Sequence, residues 1–293
     1  MKGEAGVDTN RTRRVDPNRA RRIGAGPAPR THHHVRTVLF LAIVPCVVAI
    51  VSGVFATESY ANWTATGTFR YRDRPQNLGG YTGSTSDTPI RSARVEIVRS
   101  PSTVLASGTT DASGNFNIAV TDNMTSTVFA RVISQDNIAV LAIRVQSSTA
   151  GSSLYAVTSA SVASHNPNTS TDFGIIVALE GAGAEAFNIL DVILDGSDYA
   201  AALLGSYPAV ACTTVWSTGS TTGTFFLGST IRLLGEEGWD DAVIGHEHGH
   251  FIDFLYSATD SPGGPHFLGD NNQDIRLSYG EGVATYHMSA SRR

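Results

Sequence analysis

Only two cysteines occur in the 293 residues, Cys46 and Cys212. That excludes a disulfide-stapled scaffold and any cysteine-rich zinc module. Charge is scarce as well: 16% of the chain is charged and 41% is hydrophobic. Low charge with ordinary apolar content permits a buried core and excludes disorder along the whole chain. No G-x-S-x-G segment occurs anywhere, which removes the nucleophile elbow of a serine hydrolase. Basic residues are thin in the body. Nine of the 21 Lys and Arg precede residue 37, against three acids there, leaving 12 basic and 23 acidic residues in 37–293. A body that acidic offers nucleic acid no basic face, so nucleic acid is not an expected partner.

Residues 1–36 are dominated by Arg, Pro, Gly and Ala with no apolar period, and are expected to form a disordered basic arm. Val38 to Ala56 then runs 19 residues without a charge, just enough for a helix to cross about 30 Å of hydrocarbon. Residues 37–56 are therefore expected to be one transmembrane anchor or signal helix. Val54-Phe55-Ala56 supplies the small residues that cleavage after Ala56 would need. In either case the arginine side stays in the cytoplasm. The expected location is membrane-anchored through residues 38–56 with an exported body, or secreted after cleavage. Cys212 is then the one cysteine of the exported body, and Ala209-Val210-Ala211 beside it marks a small buried hydrophobe.

From 62 to 160 short runs alternate between apolar and polar residues, with Gly, Ser, Thr and Asp between them. Ala93, Val95 and Ile97 fall on one face, and Asp111 to Gly114 reads as a turn before Phe116-Asn117-Ile118. Six or seven such strands predict an all-β sandwich. The stretch Pro89 to Val95, followed by Thr110-Asp111-Ala112-Ser113-Gly114-Asn115-Phe116, resembles the carboxypeptidase regulatory-like, transthyretin-like sandwich. The resemblance implies an accessory module without chemistry of its own.

Beyond Asp172 the pattern changes. Ala184 to Leu194 puts Ile189, Leu190, Ile193 and Leu194 on one helical stripe. Thr213–Trp216, Gly223–Leu227 and Thr230–Leu234 read as strands, and Asp240 or Asp241 opens a helix where a carboxylate suits the dipole. That helix carries His246-Glu247-His248-Gly249-His250, an H-E-x-x-H motif. Residues four apart share a helix face, so His246 and His250 can grip one Zn²⁺. Glu247 stands beside that face, where it can reach a metal-bound water as general base and carry the proton to a leaving amine. His248 points elsewhere.

A catalytic zinc needs a third protein ligand and an open position. The metzincin continuation is excluded, because Asp253 stands where its Gly belongs and Tyr256 where its last His belongs. Tyr279-Gly280-Glu281-Gly282-Val283-Ala284-Thr285-Tyr286 instead resembles the glutamate helix of gluzincins, the superfamily of thermolysin and the one-zinc aminopeptidases. That resemblance covers about residues 184–288. It implies an α+β zincin-like metallopeptidase domain over 172–293, with His246, His250 and Glu281 as zinc ligands and Glu247 as catalyst. Thirty residues lie between His250 and Glu281, a longer spacing than those families use, and Ser261 to His266 accounts for the excess. The oxyanion-stabilising Tyr or His of gluzincins follows the glutamate helix, so the chain is expected to be truncated or to use His266 or Tyr286. Asp270, Asn272, Asp274 and Glu281 also fit positions 1, 3, 5 and 12 of a calcium loop, though Ile275 occupies the glycine position. The expected function is a zinc-dependent peptidase acting on peptides or proteins outside the cytoplasm. The alternative is an exported binding or adhesion protein whose zinc-peptidase domain is degenerate or incomplete.

Overall fold

The computed structural model describes residues 61–292, apart from 78, 139–141, 150–152 and 267–268. The expected arm at 1–36 and the anchor or signal helix at 37–56 lie outside the described residues. No helix among the described residues is long and apolar enough to cross a membrane. Among the described residues the fold is β-rich, with several sheets and three α-helices.

The strands in chain order are β1 Ala61–Asp73, β2 Gln76–Asn77, β3 Gly80–Tyr81, β4 Ser86–Pro89, β5 Ala93–Arg99, β6 Thr103–Thr109, β7 Asn115–Asp122 and β8 Ser126–Asp136. Then come β9 Ile143–Gln146, β10 Ala156–Thr158, β11 Val162–His165, β12 Thr171–Ala178, β13 Cys212–Val215, β14 Phe225–Leu227 and β15 Thr230–Arg232. The helices are α1 Ala184–Leu204, α2 Asp241–Tyr256 and α3 Ile275–Ser291.

Period-two patterning explains the first half. Along β7 Phe116, Ile118 and Val120 are buried and their neighbours exposed; along β8 Val128, Ala130 and Val132 are buried and their neighbours half-buried. They meet Trp63, Ala65, Phe69 and Tyr71 of β1 in one hydrophobic core. The β1 sheet holds β12, β1, β4 and β7, and the larger sheet runs β14-β15-β13-β9-β8-β5-β6, with β10 and β11 also on β8. The turn before β7 needs its glycine: Gly114 has φ +79, and a Cβ there would meet the Phe69 carbonyl oxygen at 2.3 Å.

Both sheets cross the border expected between 160 and 172. β12 lies parallel to β1, with Ala65 opposite Thr171 and Tyr71 opposite Ala178. β13 lies parallel to β9, with Cys212 opposite Ile143. Residues 57–293 accordingly form one compact unit. The physical reason is that a sheet edge leaves a row of unpaired N–H and C=O groups, and here each half supplies the strand that covers the other's edge.

Helix α1 buries the expected stripe of Ile189, Leu190, Ile193 and Leu194 and continues to Leu204, where Gly205 in the left-handed region donates its N–H to Ala201 O at 2.8 Å. The continuation is polar to the eye because Asp195 and Asp198 extend the face that Asp191 begins. All three are gathered by Arg91 from the sandwich side, at 2.5, 2.6 and 3.1 Å. That ion-pair cluster seats the helix that lies under the metal motif.

Candidate metal centre

The Asp240 carboxylate caps α2, accepting from the Ala242 and Val243 backbone N–H groups at 3.1 Å each. One turn apart on the helix, the His246 and His250 rings stand nearly perpendicular, with centroids 4.7 Å apart. Helix α3 begins at Asp274, whose carboxylate accepts from Arg276 N at 2.9 Å. It buries Leu277, Gly280, Ala284, His287 and Ser291, a three-four spacing that defines one packed face.

The two helices come unusually close at Gly249. A Cβ on Gly249 would lie 2.6 Å from Ala284 Cα and 2.8 Å from its carbonyl oxygen. That approach carries Glu281, one turn before Ala284, against the histidines. Glu281 Oε2 is 3.0 Å from His246 Nε2, and Oε1 is 3.4 Å from His250 Nε2. The candidate ligand atoms of His246, His250 and Glu281 all lie within 4.8 Å of one another, the one such cluster among the described residues. His246 Nδ1 lies 3.3 Å from Thr285 Oγ1. A proton on Nδ1 donated to that hydroxyl leaves the Nε2 lone pair facing the cluster, the outer support a metal-binding imidazole requires.

Two imidazoles and a carboxylate form a donor set suited to a divalent transition metal, and to zinc among them. The charges agree with that. Burial works against the Glu281 carboxylate, but hydrogen bonds from His246 and His250 hold its pKa well below the usual carboxylate range. Burial also disfavours charge on His250, yet Glu281, Glu247 and Asp253 together raise its pKa. Carboxylate and imidazole thus each favour charge on the other. Glu247 is buried, and its Oε2 has no hydrogen-bond partner. Burial raises its pKa, against the pull of His250 and His246. A buried carboxylate oxygen without a partner costs free energy unless something in the cleft engages it.

The cleft itself encloses about 810 Å³. Its walls are α2, Glu281, the segment Ser261–His266, and Thr224 with the three residues of β14. β14 pairs on one side with β15 and ends the sheet path, so its other edge is open among the described residues.

The remaining expected candidates separate clearly. His266 enters the cleft, with Nε2 3.3 Å from Glu281 Oε2. Tyr286 turns instead to Tyr199, hydroxyl to hydroxyl at 3.2 Å, and does not wall the cleft. Asp274 is spent on capping α3 and on Arg276, and Asp270 accepts from Asn272 N at 2.9 Å. Neither joins Glu281, so the calcium-loop arrangement is not assembled.

Sequence reasoning missed the pair behind the site. His248, fully buried, meets His287 Nε2 through Nδ1 at 3.1 Å and Ser197 Oγ through Nε2 at 3.3 Å. The pair joins α1, α2 and α3, and Gly196 leaves room for it, since a Cβ there would lie 2.3 Å from His248 Nδ1. The available signal was the spacing of His287 on the buried face of α3.

Two expected results arise from this packing. Gly249→Ala must push α2 from α3, because the obstruction is backbone. We expect about 1–3 kcal/mol of destabilisation and weaker zinc binding, read by thermal melting and chelator competition. Unchanged values in both would mean that the helix spacing does not set the ligand distances. The second result is a pH dependence. Burial lowers the His287 pKa from 6.5 to about 4, and burial with the neighbouring His287 lowers that of His248. Both rings are neutral in the native state and gain protons on unfolding below pH 6.5. Stability is therefore fully present above that pH and lost as pH falls toward 4, by about 3 kcal/mol from His287 alone. The difference in urea midpoint between the parent and His287→Gln should shrink over that window; a constant difference would contradict it.

No family model matches this chain, and no curated protein does. Among solved structures, a 9R-lipoxygenase from Cyanothece PCC8801 is similar over 50% of this chain at 16% identity, with a TM-score of 0.24. The match covers 25% of that enzyme's chain. So loose a likeness bears on neither fold nor function.

Proposed function

We propose that this chain is a zinc-dependent peptidase of the gluzincin kind, with a zincin-like arrangement built around α2 and α3. The observation that carries the reading is the convergence of His246, His250 and Glu281 beside the buried, unpartnered Glu247 carboxylate. His246 and His250 would hold the metal through Nε2 and Glu281 through its carboxylate. Zinc bound there supplies a Lewis acid that polarises a carbonyl and makes water more acidic. Glu247 then serves as the base: its unpartnered oxygen takes a proton from water in the cleft and delivers it to the departing amine. The raised pKa of Glu247 suits a group that must both accept and return a proton.

The open edge of β14 favours a peptide as substrate. An extended chain can add to such an edge through main-chain hydrogen bonds, independent of its side chains. The Phe225, Phe226 and Phe254 side chains along the cleft offer apolar contact to the residues flanking the scissile bond.

The test is hydrolysis. Zinc-loaded protein incubated with a broad library of peptides should yield new amino termini detectable by mass spectrometry, and a chelator should stop their appearance. Stoichiometric zinc with no cleavage across the library would favour the binding or adhesion reading.

A further inference from the structure

We propose that His266 is a fourth, displaceable ligand of the same centre, so that the chain blocks its own open position until that histidine is moved aside. This rests on the metal-site reading above and adds its regulation.

His266 Nδ1 lies 3.0 Å from the Gly264 carbonyl oxygen. A carbonyl only accepts, so the ring proton sits on Nδ1, and in the neutral ring the Nε2 lone pair faces the cleft. An outer hydrogen bond from one nitrogen to a backbone carbonyl is how metal-binding histidines are oriented. The lone pair then faces Glu281 Oε2 at 3.3 Å. A proton or a metal ion between the two atoms satisfies both, and His246 at 3.0 Å and His250 at 3.4 Å face the same carboxylate in the same way. Three imidazole Nε2 atoms thus converge on one carboxylate. In a tetrahedral zinc site with bonds of about 2.0–2.1 Å, neighbouring ligand atoms lie about 3.3 Å apart. His266 meets that spacing to Glu281 but falls outside the His246, His250 and Glu281 cluster, so a short inward shift of its segment completes the set.

That segment has room to shift. Gly263 and Gly264 adopt φ +60 and +102, and a Cβ on either would meet nothing within 4 Å. Ser261 Oγ accepts from Gly263 N at 3.3 Å, a bond internal to the segment. Three imidazoles and a carboxylate make a closed, four-coordinate centre, whereas catalysis needs one position open. Substrate entering the cleft competes with His266 for that position.

The experiment uses the whole chain and three variants, His266→Ala, His250→Ala and the double variant. Loss of an outer partner costs about 10–100-fold in metal affinity, so His266→Ala should weaken zinc binding by at least that factor in chelator competition, with thermal stability of the zinc-free protein unchanged. Cobalt-loaded parent should show a visible spectrum that acetohydroxamate leaves unaltered, while cobalt-loaded His266→Ala should change on adding it. Peptide cleavage should rise in His266→Ala by the inverse of the open fraction, about tenfold if one molecule in ten is open. Unweakened zinc binding in His266→Ala, alongside its loss in His250→Ala, overturns the fourth ligand and leaves the three-ligand centre standing. Weakened binding without a rise in cleavage overturns the self-blocking. Zinc retained in His250→Ala removes the centre itself, and the inference with it.

Discussion

Glu247→Gln should leave about one zinc per chain in place and remove peptide cleavage by at least about 10²–10⁴-fold. The amide keeps the volume and shape of the carboxylate, which matters because Glu247 is buried and a smaller side chain would open a void. What it cannot keep is proton affinity. The carboxylate carries an oxygen without a partner and a pKa raised by burial, both properties of a group waiting to accept a proton. The loss should therefore appear in kcat, with KM little altered, since the amide still fills the same wall of the cleft. Glu281→Ala should fail in the opposite order, releasing zinc first and activity as a consequence. Cleavage by Glu247→Gln at the parent rate would show that the proton goes elsewhere, and the peptidase reading would lose its base.

His246→Ala and His250→Ala should each reduce bound zinc from about one per chain to none by atomic emission. Each deletes one of the imidazoles that share the ion with Glu281, at 3.0 and 3.4 Å, and the ligands left, the displaceable His266 among them, do not hold it. A second readout follows from linkage. Metal that binds only the native state at 1,000 times its dissociation constant stabilises by about 4.1 kcal/mol. The parent should melt at a higher temperature with zinc than with chelator, and the two variants should melt identically in both. A zinc-dependent shift in either variant would place the ion elsewhere in the molecule.

Much of the centre was legible because it is local. Residues four apart on a helix share a face whatever surrounds them, so His246 and His250 could be paired from spacing, and the cap narrowed to Asp240 or Asp241 from their place before the apolar run. The alternating strands β5, β7 and β8 were legible for the same reason, since their period of two reports one buried face. What escaped is non-local. Nothing in Thr171–Ala178 announces that its parallel neighbour is β1, because parallel pairing leaves no turn or register signal in the intervening chain. The apolar stripe that marked α1 ends at Leu194, and Asp195 and Asp198 beyond it gave no helical signal until Arg91 is seen to gather them with Asp191. His248 and His287 looked idle singly; only the close approach at Gly249 makes them partners. Glu281 needed a resemblance to be singled out, since a lone glutamate between two glycines has many uses.

The pairing of β1 with β12 sets an order of events at synthesis. Ala65 and Thr171 are partners, yet more than a hundred residues of chain separate them. At about 5–20 residues per second, β1 waits roughly 5–20 s between leaving the ribosome and meeting the strand that pairs with Ala65 to Tyr71 along one side of it. β4 and β7 arrive sooner, but they pair along its other side. For that interval the nascent chain carries a long, aromatic, half-covered strand, an open template for any neighbouring chain. The first of the described strands to be made is thus among the last to be completed, and the candidate metal centre, whose helices follow β12, is assembled only after that wait has ended.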